Sequence, residues 1–219
     1  LLLSYQPAKS KETKDLPKSW KGYTSPKDIK TVEELFLTGQ RVEQFYVPNK
    51  NPEDWYAEAL KRDPGNIRVN TAMGNICLKN GDYNGARKYL STAIERLTKD
   101  YTRPVTCEAL YLQGVTLRAL GLYQEAIDTL YRATWDYAFH APAYFQLAQL
   151  SSNKGDYNKA LIEVCKSLKT NSVDNRAIAL KAALLRKLGK NSDALFTLQS
   201  VLESDPLDFR IRNEYYLIL

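Results

Sequence analysis

A chain of 219 residues, 44% hydrophobic and 26% charged, is long enough to bury a core and has the composition of an ordinary globular protein. No apolar run reaches the length of about eighteen residues that a spanning helix needs, and Leu1-Leu2-Leu3 is too short for a signal-peptide core, so membrane insertion is excluded. The net charge of +6 does not indicate nucleic acid, because residues 1 to 30 hold seven lysines against three acids while the other 189 residues hold 24 basic and 22 acidic groups.

The lone histidine, His140, excludes Ser-His-Asp, Cys-His and multi-histidine metal chemistry within one chain. Cys77, Cys107 and Cys165 form no CxxC pair, which reads as three reduced, small core residues and favours a cytoplasmic compartment. No catalytic residue, cofactor or metal site is expected.

In chain order, residues 1–30 read as a Lys-, Ser- and Pro-containing linker. Its opening, Leu1 to Pro7, reads either as the last strand of a preceding β domain or as a disordered tail. Thr31-Val-Glu-Glu34 is a capping box that starts a helix carrying Leu35, Leu37 and Val42. After a loop at Tyr46 to Asn51, Pro52 opens a second helix through Trp55, Ala59 and Leu60 that ends at Asp63-Pro64-Gly65, so residues 31–65 form a degenerate helix pair.

From there the chain repeats itself. KNGDYNGARKYLSTAIERL, ALGLYQEAIDTLYRATW, NKGDYNKALIEVCKSL and KLGKNSDALFTLQSVL align without gaps, with turn glycines Gly81, Gly121, Gly155 and Gly189 spaced by 40, 34 and 34 residues. Ala86, Ala126, Ala160 and Ala194 follow at the same spacing, and Gly74, Gly114, Ala148 and Ala182 precede the glycines by seven residues. Small residues on both helices allow close backbone approach, while Tyr83, Tyr123, Tyr157, Leu90 and Leu130 are expected to fill the surrounding space.

The pattern resembles the tetratricopeptide repeat, a 34-residue helix–turn–helix unit, and the resemblance implies an all-α superhelical solenoid of antiparallel pairs over residues 31–219. The repeats are placed at 67–106, 107–140, 141–174 and 175–208, with a partial unit at 209–219. The six extra residues of the 40-residue spacing fall in Thr98 to Thr106, as a longer second helix or a longer loop. The last helix ends in Tyr215-Tyr216-Leu217-Ile218-Leu219, an apolar run with no following partner, which suggests a fragment of a longer protein.

Stretches such as EELFLTGQRVEQF, EALKRDPGNIRVN and YRATWDYAFHAPAYFQLAQL resemble more narrowly the repeat region of large bacterial proteins with an upstream carbohydrate-associated β-sandwich domain of unknown function. That resemblance implies a neighbouring domain and no activity of its own.

In the tetratricopeptide family the second, fifth, ninth and twelfth positions of each first helix line a concave groove. Carried over, these positions include Arg68, Thr71 and Asn75, then Glu108, Tyr111 and Arg118, then Phe145 and Gln149, then Arg176 and Arg186. The predicted peptide-binding set is Asn75, Tyr111, Arg118, Phe145, Gln149, Arg176 and Arg186, with Tyr111 and Phe145 as a shared aromatic floor suited to an acidic or amide-rich segment. Some members hold a peptide carboxylate with a Lys-Asn clamp; here Thr71 stands at the lysine, so the clamp is not expected although Asn75 is kept. The aromatic cluster Trp135 to Tyr144 reads as packing, with His140 as a loop or packing residue.

The expected function is a non-catalytic interaction or scaffolding module that binds a protein or peptide segment, without nucleic acid or membrane. The alternatives are docking to the module's own upstream domain or to a second copy of the chain, and a solvated groove with no ligand at all.

Overall fold

The computed structural model describes residues 4–6, 19 and 22–219. Among them the chain is all helical: a short 3-10 turn at Pro26–Asp28 precedes eleven α-helices and no strand. These are α1 (Val32–Gln44), α2 (Pro52–Arg62), α3 (Ile67–Lys79), α4 (Tyr83–Leu97), α5 (Glu108–Ala119), α6 (Tyr123–Ala133), α7 (Tyr137–Asn153), α8 (Tyr157–Thr170), α9 (Asn175–Lys187), α10 (Asn191–Ser204) and α11 (Phe209–Ile218). Each helix packs on the next, and the first helices α3, α5, α7, α9 and α11 also touch in succession. They form one layer of the solenoid and the second helices form the other.

The turns within the repeats are one structure used four times. Gly81, Gly121, Gly155 and Gly189 have φ of +79°, +77°, +82° and +75°, a left-handed conformation in which a Cβ would be strained. The residue after each glycine donates its N–H back across the turn, as Asp82 to the Cys77 carbonyl at 2.9 Å and Leu122 to the Leu117 carbonyl at 2.9 Å. The glycine N–H itself reaches Leu78 in the first turn and Arg118 in the second. These two bonds satisfy carbonyls that the end of the first helix leaves open.

The pairs meet at small residues. A Cβ added to Gly74 would lie 2.5 Å from Leu90 Cγ, and one on Gly114 would lie 2.6 Å from Leu130, so neither site admits a larger residue without displacing a buried leucine. Ala148 and Ala182 take this place in the next two pairs, and Ala86, Ala126, Ala160 and Ala194 on the opposing helices are fully buried. Gly39 does the same in the first pair, 2.6 Å from the Tyr56 ring by the same construction.

The helix starts are capped by side chains. Thr31 accepts from the Glu34 N–H, Asn51 from Glu53, Asp82 from Gly85 and Asp156 from Lys159, each satisfying a donor that the first turn leaves free. The extra residues after α4 form a loop, Thr98 to Cys107, and not an added turn of helix. It is tied to the next repeat where Arg103 donates to the Trp135 carbonyl at 3.1 Å and the Cys107 N–H to Asp136 Oδ2 at 3.0 Å.

Several expectations are corrected. Asp136 caps α7, accepting from the Ala138 N–H, so that helix begins four residues before Ala141 and takes in His140, which is a half-buried helical residue packed on Tyr144 and not a loop residue. Trp135 and Tyr137 at that junction are exposed. Tyr83 and Tyr123 do not fill the interhelical space, being 38% and 52% exposed, and Leu37 faces solvent. Only Cys107 is a core cysteine; Cys77 is half-buried and Cys165 exposed. Within the stretch read as a linker, Trp55 Nε1 donates to the Thr24 carbonyl at 3.1 Å and Arg62 to the Ile29 carbonyl at 2.7 Å, so this part is fastened to α2. Of the strand placed at Leu1 to Pro7, Ser4 to Gln6 have no regular structure and the rest lies outside the described residues.

Replacing Gly114 with Val should overpack the α5–α6 contact and lower stability by about 1–3 kcal/mol. Thermal unfolding followed by circular dichroism measures this, and an unchanged midpoint would show that the close approach is not required.

Candidate functional site

The residues predicted for the groove all lie on the first helices, and the structure engages them in distinct ways. Arg118 Nη1 donates to Gln149 Oε1 at 2.5 Å and also to Gln146 Oε1. The Arg176 guanidinium lies over the Phe145 ring, 5.5 Å from its centroid, while its nitrogens bond both carboxylate oxygens of Asp174 at 3.1 Å. Arg186 is turned toward α11, donating from two nitrogens to Glu214 Oε2 at 3.1 and 3.0 Å. Tyr111 leans on Phe139, ring centroids 5.6 Å apart. The structure therefore joins Arg118 to Gln149 and Phe145 to Arg176, whereas Tyr111 and Phe145 each have a different aromatic or cationic neighbour.

Asn75 belongs to a separate part of the groove. It lines a cavity of about 630 Å³ between α1, α3 and the start of α5, beside Thr71, Arg68, Lys79, Glu43 and Glu108. Phe36, Tyr46 and Tyr56 supply aromatic surface there. Thr71 is buried, its hydroxyl spent on the Ile67 carbonyl at 2.8 Å, so the position that carries a lysine in a carboxylate clamp offers neither charge nor a free donor.

Most charges in the cavity are already compensated. Lys79 Nζ meets Glu43 at 2.9 Å, and Arg68 meets Glu33 at 2.6 Å while its guanidinium covers the Phe36 ring at 4.1 Å. Glu108 has no such partner among the described residues. It keeps contact with water, yet withdrawal from bulk solvent by the cavity walls, and then the charge of Glu43, push its carboxyl above the usual range.

Gln146, Glu43, Lys79 and the aromatic residues Phe36, Tyr46 and Tyr56 of the first pair were not among the predicted groove residues. Gln146 had a signal, since it precedes Gln149 by three residues and so shares its helix face. The first-pair residues had none, because that pair departs from the repeat pattern that locates the groove.

Nothing in this arrangement resembles a reaction centre. His140 Nδ1 is 3.1 Å from the Thr170 hydroxyl and its ring meets Tyr144 at 4.7 Å, while burial and then Lys166 and Lys169 hold its pKa below the ordinary histidine value. Among the described residues no group of three metal-ligating side chains comes together, and no helix is long and apolar enough to cross a membrane. Among the described residues the one buried carboxylate, Glu163, is only 2% exposed and accepts from the Tyr131 and Ser151 hydroxyls at 2.5 and 2.6 Å, a tie among α6, α7 and α8.

Comparison with known proteins agrees with the repeat reading. Family models for the tetratricopeptide repeat match residues 67–134 and 141–174. Among solved structures, MamA is similar at 22% identity and a TM-score of 0.65, over 80% of this chain and 92% of that one. MamA from Desulfovibrio magneticus RS-1 is similar at 16% identity and a TM-score of 0.66, over 81% and 97%. YrrB, described as a TPR protein with an unusual peptide-binding site, gives 16% identity and 0.65, over 85% and 92%. Identities this low establish the fold alone. Tetratricopeptide repeats thus lie at residues 67–134 and 141–174, and the helix pairs from α1 to α11 share the solenoid fold of these structures.

Proposed function

We propose that the chain is a non-catalytic docking module that receives a peptide or an extended protein segment along its first helices. The observation that carries this reading is the groove itself. A cavity of about 630 Å³ rich in polar side chains opens at one end, and half-buried Tyr111, Phe145 and Arg118 continue the same layer of helices. Aromatic and arginine side chains held at partial burial lose little freedom on binding and can contribute both apolar area and hydrogen bonds.

In this reading Asn75, Tyr111, Arg118, Phe145 and Gln149 contact the ligand directly, and Arg176 and Arg186 border it from α9. The reading extends to a larger bacterial protein in which the solenoid positions its neighbour, a carbohydrate-associated β domain. Peptides selected on the immobilised protein from a random displayed library should lose at least about tenfold in affinity when Tyr111, Arg118 and Phe145 are together changed to Ala. An affinity that survived the triple change would move the site to the outer face or to the Thr98 to Thr106 loop. Ala126→Leu, at a fully buried contact, should instead lower stability by about 1–3 kcal/mol before it affects binding.

Docking of a second copy is the other reading, and α11 favours it. Phe209, Tyr216 and Leu217 are exposed there, while Ile211 is buried against the last complete pair. Changing Leu217 and Leu219 to Lys should abolish a dimer formed through this helix. Sedimentation velocity measures it, and an oligomeric state unaltered by the two lysines would rule out α11 as the contact.

A further inference from the structure

The charged side chains at the groove positions and in the cavity are almost all neutralised by neighbours. Arg68 is paired with Glu33, Lys79 with Glu43, Arg176 with Asp174 and Arg186 with Glu214. Two are not. Among the described residues Glu108 has no cation within ion-pairing distance, and Arg118 is held by the neutral amide oxygens of Gln146 and Gln149 with no carboxylate paired to it.

Both residues belong to α5, Glu108 as its first residue and Arg118 in its last turn. The helix dipole favours an acid at the start and a base at the end, which explains how α5 keeps each charge without a counter-ion. It does not use up their hydrogen-bonding capacity. Arg118 Nη1 serves both glutamines, which leaves Nη2 and Nε of a fixed, half-buried guanidinium to donate to a ligand. Glu108 presents its carboxylate to a cavity large enough for a long side chain, with aromatic surface from Phe36 and Tyr46 around it.

Resting on the groove reading above, we propose that α5 reads a segment of opposite polarity. A Lys or Arg side chain of the ligand enters the cavity against Glu108, and an Asp or Glu side chain of the same ligand pairs with Arg118. The two charges are ten residues apart on one helix, on the order of 15 Å along its axis at 1.5 Å per residue. An extended ligand rising about 3.3 Å per residue covers that distance in roughly four to five residues. The order of the two charges fixes the direction in which the ligand lies, basic residue toward α1 and acidic residue toward α7.

The test is selection from a random displayed dodecapeptide library on the wild-type protein, Glu108→Gln and Arg118→Gln, followed by fluorescence anisotropy on selected peptides. Wild-type selection should enrich sequences with a Lys or Arg and an Asp or Glu four to five residues apart, always in the same order. Glu108→Gln should lose the basic preference and keep the acidic one, Arg118→Gln should do the reverse, and each should weaken a selected peptide about tenfold. If Arg118→Gln fails to fold, Gln146→Glu supplies the guanidinium with an internal carboxylate at nearly unchanged volume and should remove the acidic preference in the same way. Enriched sequences without the charge pair, or a preference that no substitution alters, would overturn the proposal; if those peptides still depended on Tyr111 and Phe145, the groove reading would stand. Failure to enrich any sequence would overturn both.

Discussion

The fold depends on how closely the two helices of a pair approach. At Gly74 and Gly114 there is no room for a Cβ beneath the opposing leucine, and Gly39 meets the Tyr56 ring in the same way. Alanines serve in the later pairs. Packing at interior density across such contacts fixes the rotation of each helix about its axis. Once rotation is fixed, the face of each first helix that looks into the groove is fixed as well. The placement of Tyr111, Phe145 and Arg118 thus follows from contacts on the far side of their helices.

A second constraint acts across pairs. Glu163 is buried between α7 and α8 and accepts hydroxyl bonds from Tyr131 on α6 and Ser151 on α7. A carboxylate taken out of water is tolerated only where donors replace its hydration, so the three side chains must be in register together. Apolar contacts between alanine and leucine permit small rotations; this polar tie permits far fewer. It lies beneath the part of the solenoid where Arg118 reaches from α5 to α7, and it holds α7 so that Gln146 and Gln149 are in position.

The repeat period, the turn glycines and the small residues at the helix contacts were legible in the sequence, because each is a local backbone or packing requirement that recurs at fixed spacing; of the helix caps only Thr31 was read. Gly39 escaped notice because the first pair lacks the turn glycine that marks the others. The start of α7 was misplaced because strict periodicity put it at Ala141, whereas the Asp136 carboxylate caps a helix that begins four residues earlier, at Tyr137. Tyr83 and Tyr123 recur in register yet stay partly exposed, since recurrence at the first residue of a helix reports the turn more than the core. For the groove, helical geometry identified which side chains share a face. It could not show which arginines were neutralised, because the partner carboxylates Glu33, Asp174 and Glu214 stand at three different offsets from Arg68, Arg176 and Arg186.

The loop from Thr98 to Cys107 has a bearing on cooperativity. A linear array unfolds as one unit only while the interface between neighbouring pairs outweighs the freedom gained when they part. Ten residues join α4 to α5, where four join α2 to α3 and α8 to α9. Loop-closure entropy for that difference is about 0.8 kcal/mol, less than a single buried leucine contributes. The bonds from Arg103 and Cys107 to the Trp135 carbonyl and Asp136 act against it. A cost of this size is too small to divide the array into two blocks that melt separately, so amide hydrogens on either side of the loop are expected to share one global opening.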